Sequence, residues 1–358
     1  MIGYLSYKLW YAFLTLIGVI TVIFFLFNIL PGDPAKMMLG QQQNESQVAI
    51  VKQKYGFDQP LMVQYGYYLN DLSPLSFHST SSDNYTYLAP DKYEALPLFS
   101  FSNTVMVLKW PYLRESFTRQ GKKVTIVIGE TLPNTIILAI SAISLALVLG
   151  IILGIVSALK KDSWLDKTIQ VVSTLGMSVP SFFSAILFAW FFGFVLHRYT
   201  NLNMTGSLYA LDDYGEEMQL QLKNLILPAL VLGIRPLAVV TQLMRNALLD
   251  VLQQDYIRTA KAKGLSSYQI VTRHALKNAL NPVVTAISGW FASMLAGAVF
   301  VEYVFGWNGL GKEIVNALNT LDLPVIMGAV LVIAMLFITI NILVDIIYTW
   351  LDPRVQLS

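Results

Sequence analysis

The side chains best suited to chemistry in this sequence are cations, and they cluster in one stretch. The run from Asp255 to Pro282 covers about 28 residues between two long apolar segments and includes Arg258, Lys261 and Lys263. Arginine and lysine groups held in one short segment can make charge-assisted hydrogen bonds to a partner. The stretch therefore indicates binding to another molecule, and the alternative is a solvated basic loop between two membrane spans.

Arg235 is the one charged residue deep inside a long apolar run, and Pro236 follows it directly. A charge at that depth in a membrane span is costly and usually faces a cavity or a partner. One interpretation makes Arg235 a pathway residue that meets a carboxylate or carbonyl group of a transported solute. The other gives it a structural pairing with a neighbouring subunit or with backbone carbonyl groups loosened by Pro236.

No catalytic or metal site is predicted. Gly306 to Lys312 fits the beginning of a phosphate-binding loop, but Glu313 stands where that loop needs Ser or Thr to bind magnesium. The segment also follows an apolar helix rather than a strand. The sequence has no Cys and only three scattered His, so no thiolate site or histidine cluster is indicated.

The basic stretch has the local signals of a helical hairpin. Its first half, up to Lys263, is rich in helix-forming residues, and Gly264 suits a helix end that needs a positive φ. Ser266 and Gln269 form a capping box that starts a second helix. That helix is expected to reach about Leu280.

The second helix of this hairpin carries a row of small apolar residues. Val271, Ala275 and Ala279 recur every four residues, which places them on one face. Other helices can approach such a face closely. Pro282 is expected to limit the extension of the helix.

Composition identifies an integral membrane protein. Of the 358 residues, 55% are hydrophobic and 13% are charged, with a mean hydropathy of +0.56, whereas soluble domains carry about 25% charged residues. Six runs are long enough to cross a membrane, which predicts an all-α protein with six transmembrane helices. They are Leu9–Leu30, Thr131–Leu159, Thr168–Leu196, Asn224–Met244, Asn278–Val301 and Leu323–Val344.

Positive charges in short loops predict the orientation. Lys160, Lys161 and Lys167 follow the second run, and the basic stretch follows the fourth, so both loops and both termini are expected in the cytoplasm. The predicted organisation is residues 1–30 with the first helix, 31–130 outside, 131–350 with helices two to six and the loop 250–281, and a cytoplasmic tail 351–358. Four cations then lie outside, which long loops tolerate: Arg114, Arg119, Lys122 and Lys123.

The positions of three charged residues near the ends of the spans predict an ion pair and an interfacial carboxylate. Arg245 and Asp345 lie at similar depth near the cytoplasmic ends of the fourth and sixth runs, so they could pair. Glu302, at the outer end of the fifth run, is expected at the membrane interface.

The basic stretch resembles the cytoplasmic EAA loop of the membrane subunits of binding-protein-dependent ABC importers. In that loop a Glu-Ala-Ala pattern is followed by three residues and then a glycine, and here Gly264 corresponds to the glycine and Ala260 to the second alanine. Arg258 and Thr259 replace the Glu and the first Ala, a variant similar to the dipeptide, oligopeptide and nickel permease branch. Other similar segments are Gly129–Thr135, Glu302–Gly311, Asn341–Tyr348 and Leu351–Arg354.

The resemblance implies a type I ABC importer fold and a set of partners. These are a homologous second permease subunit, two cytoplasmic ATPase subunits, an extracytoplasmic substrate-binding protein and membrane lipid, with no nucleic acid. ATP and magnesium are expected in the ATPase subunits, and no cofactor is expected on this chain. The implied ATPase-coupling residues are Arg258, Thr259, Ala260, Lys261, Ala262, Lys263, Gly264 and Leu265.

The expected function is the membrane pathway of an ATP-driven importer of dipeptides or oligopeptides in a bacterial inner membrane. Uptake of nickel chelates or another small solute by the same machinery is the alternative within this class. An ion-driven secondary transporter would need carboxylates deep in its spans, which the sequence lacks, and an intramembrane enzyme would need a catalytic pair there. The Ser73–Asn103 segment is either a tolerated surface insertion or a small external subdomain.

Overall fold

The computed structural model describes residues 2–29, 34–39, 44–82, 84–90, 92–119, 121–211 and 217–351. It divides into two compact units. The membrane unit consists of Met1–Ala12, Thr131–Val315 and Ile333–Ser358, and the sheet unit consists of Phe13–Glu130 and Asn316–Val332. The predicted tail 351–358 lies outside the described residues except for Leu351.

Helices account for most of the described chain. In chain order they are α1 Ile2–Ile29, α2 Pro34–Leu39, α3 Glu45–Tyr55, α4 Leu61–Leu72, α5 Val124–Leu159, α6 Trp164–Ser178, α7 Ser181–Trp190, α8 His197–Thr200, α9 Lys223–Leu252, α10 Asp255–Ala262, α11 Ser267–Gln269, α12 Leu276–Ala279, α13 Asn281–Phe305, α14 Leu310–Thr320 and α15 Leu323–Leu351. Two π-helical segments, Phe191–Val195 and Ile270–Ala275, continue α7 and join α11 to α12.

Within the described ranges, four helices are long and apolar enough to cross a membrane: α1, α5, α9 and α15. Two bent pairs raise the number to six, namely Trp164–Ser178 with Ser181–Val195 and Asn281–Leu295 with Ala298–Phe305. This agrees with the six apolar runs of the sequence. The helix α5 begins at Val124 rather than Thr131, because the apolar residues before Gly129 continue the helix.

The third apolar run is not one straight helix. It breaks between α6 and α7, whose axes differ by 110°. The cause is Pro180, which cannot donate a backbone hydrogen bond and disfavours helical geometry at the preceding residue. Val179 is extended, with φ −81° and ψ 132°.

Close packing of α5 on α9 organises the membrane unit. A Cβ atom added at Gly150 would lie 2.7 Å from Val240 Cγ1, and one added at Gly154 would lie 2.6 Å from Met244 Cβ. Side chains at these two positions would separate the helices. The G-x-x-x-G pattern in α5 is therefore a helix contact.

The sheet unit contains a three-stranded antiparallel sheet that the pattern of the sequence does not reveal. Its strands are β1 Leu75–Ser79, β2 Ala95–Phe101 and β3 Thr104–Lys109, in the order β1-β3-β2. In β1 the polar residues Ser76 and His78 are buried while Leu75 and Phe77 are exposed. This is the reverse of the usual alternation, and it hides the strand from a hydrophobicity pattern. A short hairpin of β4 Tyr209–Leu211 and β5 Met218–Leu220 lies in the membrane unit.

Candidate functional site

The predicted helical hairpin is present, and its turn has the expected geometry. The helix α10 ends at Ala262, and Gly264 has φ +79° with its N–H donating to the Lys261 carbonyl at 2.9 Å. Such a φ favours glycine because it has no Cβ. The glycine therefore reverses the chain directly after the helix.

The second arm of the hairpin starts with the predicted capping box. The Gln269 backbone N–H donates to the Ser266 hydroxyl at 3.3 Å, and the Ser266 N–H donates to Gln269 Oε1 at 3.1 Å. From Ser267 the arm continues to Ala279 through the π-helical segment. The turn is thus fixed by a backbone hydrogen bond on one side and by backbone-to-side-chain hydrogen bonds on the other.

The inner face of the hairpin is small and apolar, and it packs on its own chain. Ile257 and Ala260 of α10 are buried in one cluster with Ala275 and Ala279. Val271, the third residue of the predicted stripe, is buried as well. The same cluster contains side chains from α9 and α13: Val240, Met244, Leu248 and Val283. The hairpin is therefore rooted in the ends of two membrane helices.

The outer face carries most of the predicted contact residues. Those exposed are Arg258, Thr259, Lys261, Ala262, Lys263 and Gly264, whereas Leu265 is half-buried. Ala260 is only 6% exposed, so its side chain fastens the hairpin to the protein and is not available to a partner. Arg258 contacts Asp255 at 3.3 Å, but both side chains are solvated, so the pair adds little.

A largely buried ion pair joins α9 to α6. Arg245 donates to both carboxylate oxygens of Asp166, with its Nε at 2.8 Å from Oδ1 and its Nη2 at 2.7 Å from Oδ2. The Ser157 hydroxyl and the Asp162 backbone N–H also donate to this carboxylate. Arg245 thus pairs with α6, and the side chain of Asp345, its expected partner, lies outside the described residues.

Arg235 lies beside the break between α6 and α7. Its Nη2 is 3.4 Å from the carbonyl oxygen of Val179, the residue before Pro180. The guanidinium is exposed and forms no ion pair with the described part of the chain. It lines a cavity of about 80 Å³ with Ser181, Ser184 and Ser293.

The loop that resembles a phosphate-binding loop already binds a carboxylate of its own chain. Glu302 is fully buried, and its Oε2 accepts the N–H groups of Gly311 at 2.7 Å and Lys312 at 3.1 Å. A Cβ at Gly311 would lie 2.5 Å from Val299 Cα, so the glycine allows this approach. The carboxylate thus caps the start of α14, and the expected position of Glu302 at the membrane interface stays a prediction.

The sheet unit contains a charge cluster that the sequence did not reveal. Asp71 is 1% exposed, and its side chain accepts from Arg114 Nε at 3.0 Å and from the Tyr93 hydroxyl at 2.9 Å. Lys109 Nζ donates to the Asp71 backbone carbonyl at 2.5 Å. Burial lowers the pKa of Lys109 to about 8 and raises the pKa of the Tyr93 hydroxyl. These hydrogen bonds connect α4 to β3 and to the segments around Tyr93 and Arg114.

Two family models match the chain. The model for the binding-protein-dependent transport system inner membrane component matches residues 150–357, and the model for the N-terminal part of such membrane components matches residues 1–81. Together they cover the hairpin, Arg235 and the first membrane helix.

Curated relatives match over nearly the full length. A dipeptide transport system permease protein of Alkalihalophilus pseudofirmus is 33% identical over 99% of this chain and 100% of its own length. A probable D,D-dipeptide transport system permease protein of Escherichia coli is 31% identical over 98% of this chain and 96% of its own length. Among solved structures, the inward-facing MetNI methionine ABC transporter aligns with a TM-score of 0.49 and 16% identity, covering 64% of this chain and 97% of that chain.

The helical membrane architecture, the match of more than half the chain and the full-length relatives lead to one assignment. This protein belongs to the family of binding-protein-dependent transport system inner membrane components.

Proposed function

We propose that this chain is the pathway subunit of an ATP-driven peptide importer and that the Asp255–Ala279 hairpin receives the force of ATP hydrolysis. The observation that supports this most is the division of the hairpin into a packed apolar inner face and an exposed cationic outer face. A rigid element with a free polar face is suited to a partner protein. The names of the full-length relatives support dipeptides or oligopeptides as the transported class.

The partners in this proposal are a second permease subunit, two cytoplasmic ATPases that bind ATP and magnesium, and an external substrate-binding protein. The loop at Gly306–Lys312 is unsuited to nucleotide, because Glu302 occupies the N–H groups that would hold a phosphate. Hydrolysis is therefore assigned to the ATPase subunits.

The orientation places the hairpin and both termini in the cytoplasm and residues 31–130 outside. The structure of the sheet unit makes its cations compatible with this orientation. Arg114 is paired with Asp71 and Lys122 with Glu130 at 2.6 Å, while Lys109 is buried. Cations that are paired or buried within a folded unit favour a cytoplasmic position less strongly than free cations in a short loop do.

Mechanical coupling follows from the roots of the hairpin. ATPase closure displaces the outer face, and the buried cluster carries the displacement to α9 and α13 because tightly packed side chains transmit strain. The bidentate contact between Arg245 and Asp166 extends the connection to α6. The break at Pro180 then provides a joint beside Arg235, which we assign to the pathway.

Charge reversal on the outer face tests the proposal. The double variant Lys261→Glu/Lys263→Glu, reconstituted with its partner subunits, is expected to lose peptide uptake while basal ATP hydrolysis continues. Both side chains are exposed, so folding is expected to be unchanged. Lys160→Glu/Lys161→Glu, the same charge change at two exposed lysines of another loop, is the control. Uptake at the wild-type rate by the double variant would contradict the assignment of the hairpin.

A further inference from the structure

Arg235 lies within a membrane helix, and no acidic side chain of the described residues forms an ion pair with it. Arg235 is the twelfth residue after Lys223, where α9 begins, which at 1.5 Å per residue is roughly 18 Å along the helix axis. The hydrocarbon core of a bilayer is about 30 Å thick, so this position is near its middle. A lone guanidinium at that depth is expensive unless water or an anionic group reaches it.

The cavity beside Arg235 places three hydroxyl groups in a largely apolar wall. Ser181, Ser184 and Ser293 line it together with Trp290 and apolar residues such as Val231 and Met294. Hydroxyl groups can donate to a carboxylate, and a guanidinium can bind both of its oxygens with two parallel hydrogen bonds. The one hydrogen bond that the guanidinium makes with the described residues is the long one to the Val179 carbonyl, at 3.4 Å.

The cavity has room for a charged group and for water. Its volume is about 80 Å³, and one water needs roughly 10–15 Å³. A carboxylate with one or two waters therefore fits. The cavity is not enclosed, so the remainder of a bound solute can extend out of it.

We propose that the cavity beside Arg235 is a transient subsite for the C-terminal carboxylate of a transported peptide. This inference rests on the proposed import function and adds the chemical group that the pathway recognises. One arginine and a few hydroxyl groups in an open cavity give modest affinity. Modest affinity suits a transport site, because the solute has to leave as readily as it enters.

The absence of cysteine from the sequence makes a direct electrostatic test possible. Ser293→Cys and Ser181→Cys place single thiols on two walls of the cavity in the assembled transporter. The rate of modification by an anionic methanethiosulfonate reagent is divided by the rate of a cationic one, each normalised to a free thiol. A nearby guanidinium is expected to raise this ratio about fivefold or more.

The variant Arg235→Gln removes the charge while preserving polarity, and it is expected to bring the ratio back to about one. Arg235→Lys keeps the charge and is expected to preserve most of the preference. An unchanged ratio in Arg235→Gln would overturn the proposal. So would thiols that react with neither reagent, because the cavity would then be closed to charged solutes.

Protection by peptides tests the carboxylate itself. A dipeptide with a free C-terminus is expected to slow labelling of Ser293→Cys, and the same dipeptide amidated at its C-terminus is expected to have little effect. Ser178→Cys is the matched control, because its hydroxyl donates to the Thr174 carbonyl at 2.9 Å and it does not line the cavity. Equal protection by both peptides, or none, would overturn the subsite.

ATP-driven uptake by the wild-type complex is measured in parallel. If uptake occurs but the two peptides protect equally, the subsite is wrong and the import function stands. If the complex shows no ATP-driven peptide uptake, the proposed function fails independently of the labelling result.

Discussion

The sheet unit and the cytoplasmic hairpin distribute charge in opposite ways. In the sheet unit Asp71 and Lys109 are buried, while apolar side chains lie on the surface. In the hairpin small apolar residues such as Ala275 are buried, and the cations are exposed. The exposed apolar side chains on or next to the three strands are Leu75, Phe77, Leu96, Leu98, Phe99, Phe101, Leu108 and Trp110.

The difference separates charges that support folding from charges that remain available for contacts. A buried ion pair cannot lose one member cheaply, because the other is left desolvated. An exposed cation can be replaced with little effect on folding. Substitutions should therefore affect the stability of the sheet unit through its charges and that of the hairpin through its small apolar residues.

The largest effect is expected from Asp71→Ala. It leaves the Arg114 guanidinium and the Tyr93 hydroxyl without their carboxylate, which is expected to destabilise the sheet unit by about 3–5 kcal/mol. Hydrogen exchange of the β3 amides in the purified protein provides the measurement. Asp58→Ala removes an exposed carboxylate of the same unit and is expected to change little. Similar exchange rates in the two variants would show that the buried cluster is not stabilising.

A matched pair of alanines tests the packing of the hairpin. Ala260→Asp buries a carboxylate in an apolar cluster and is expected to destabilise the hairpin by about 2–4 kcal/mol. Ala262→Asp makes the same change on the exposed face, where folding should tolerate it. Protease cleavage within residues 255–280 should accelerate only in Ala260→Asp. Equal cleavage of both variants would contradict the assignment of inner and outer faces.

A smaller effect is expected at the turn between the two arms. Nothing lies within 4 Å of a Cβ placed at Gly264, so the cost of a side chain there comes from its φ of +79° alone. Gly264→Val is expected to cost about 1–2 kcal/mol, and Gly264→Asn less, because asparagine tolerates this conformation better. Thermal unfolding of the two variants measures the difference. If valine were as stable as asparagine, the turn would not depend on glycine.

The smallest effect is expected in the pH dependence of the stability of the sheet unit. His78 is buried, with Nδ1 3.1 Å from the Thr86 carbonyl and Nε2 3.0 Å from the Ser76 hydroxyl, and burial lowers its pKa. Between the folded pKa and the unfolded value of about 6.5, the unfolded chain binds more protons. Stability contributed by neutral His78 is therefore present above pH 6.5 and lost as the pH falls below it. Thermal unfolding of His78→Gln should depend less on pH across this window than that of the wild type, and parallel profiles would contradict the prediction.

The parts of the hairpin that the sequence predicted depend on neighbouring residues. A capping box and a glycine stop involve residues within a few positions of one another, so their geometry is encoded locally. The buried ion pairs were not predictable in this way. Asp71 and Arg114 are 43 residues apart, and Asp166 and Arg245 are 79 apart, so only the fold brings them together.

The sheet shows a second limit of sequence patterns. The β1 strand buries Ser76 and His78 because their polar atoms hydrogen-bond to each other. Hydrophobic alternation assigns the wrong face to such a strand. Similarly, Pro180 and Arg235 could each be recognised in the sequence, but their proximity depends on the 110° bend between α6 and α7.

The most direct test of the account is whether the outer face of the hairpin is covered when the ATPases are present. Ala262→Cys is the probe, because Ala262 is exposed and the natural sequence has no cysteine. A water-soluble maleimide is expected to label it rapidly in the isolated permease subunits and slowly in the full complex. Equally rapid labelling in both states would mean that the hairpin projects freely into solvent, and it would contradict the proposal that it receives force from the ATPases.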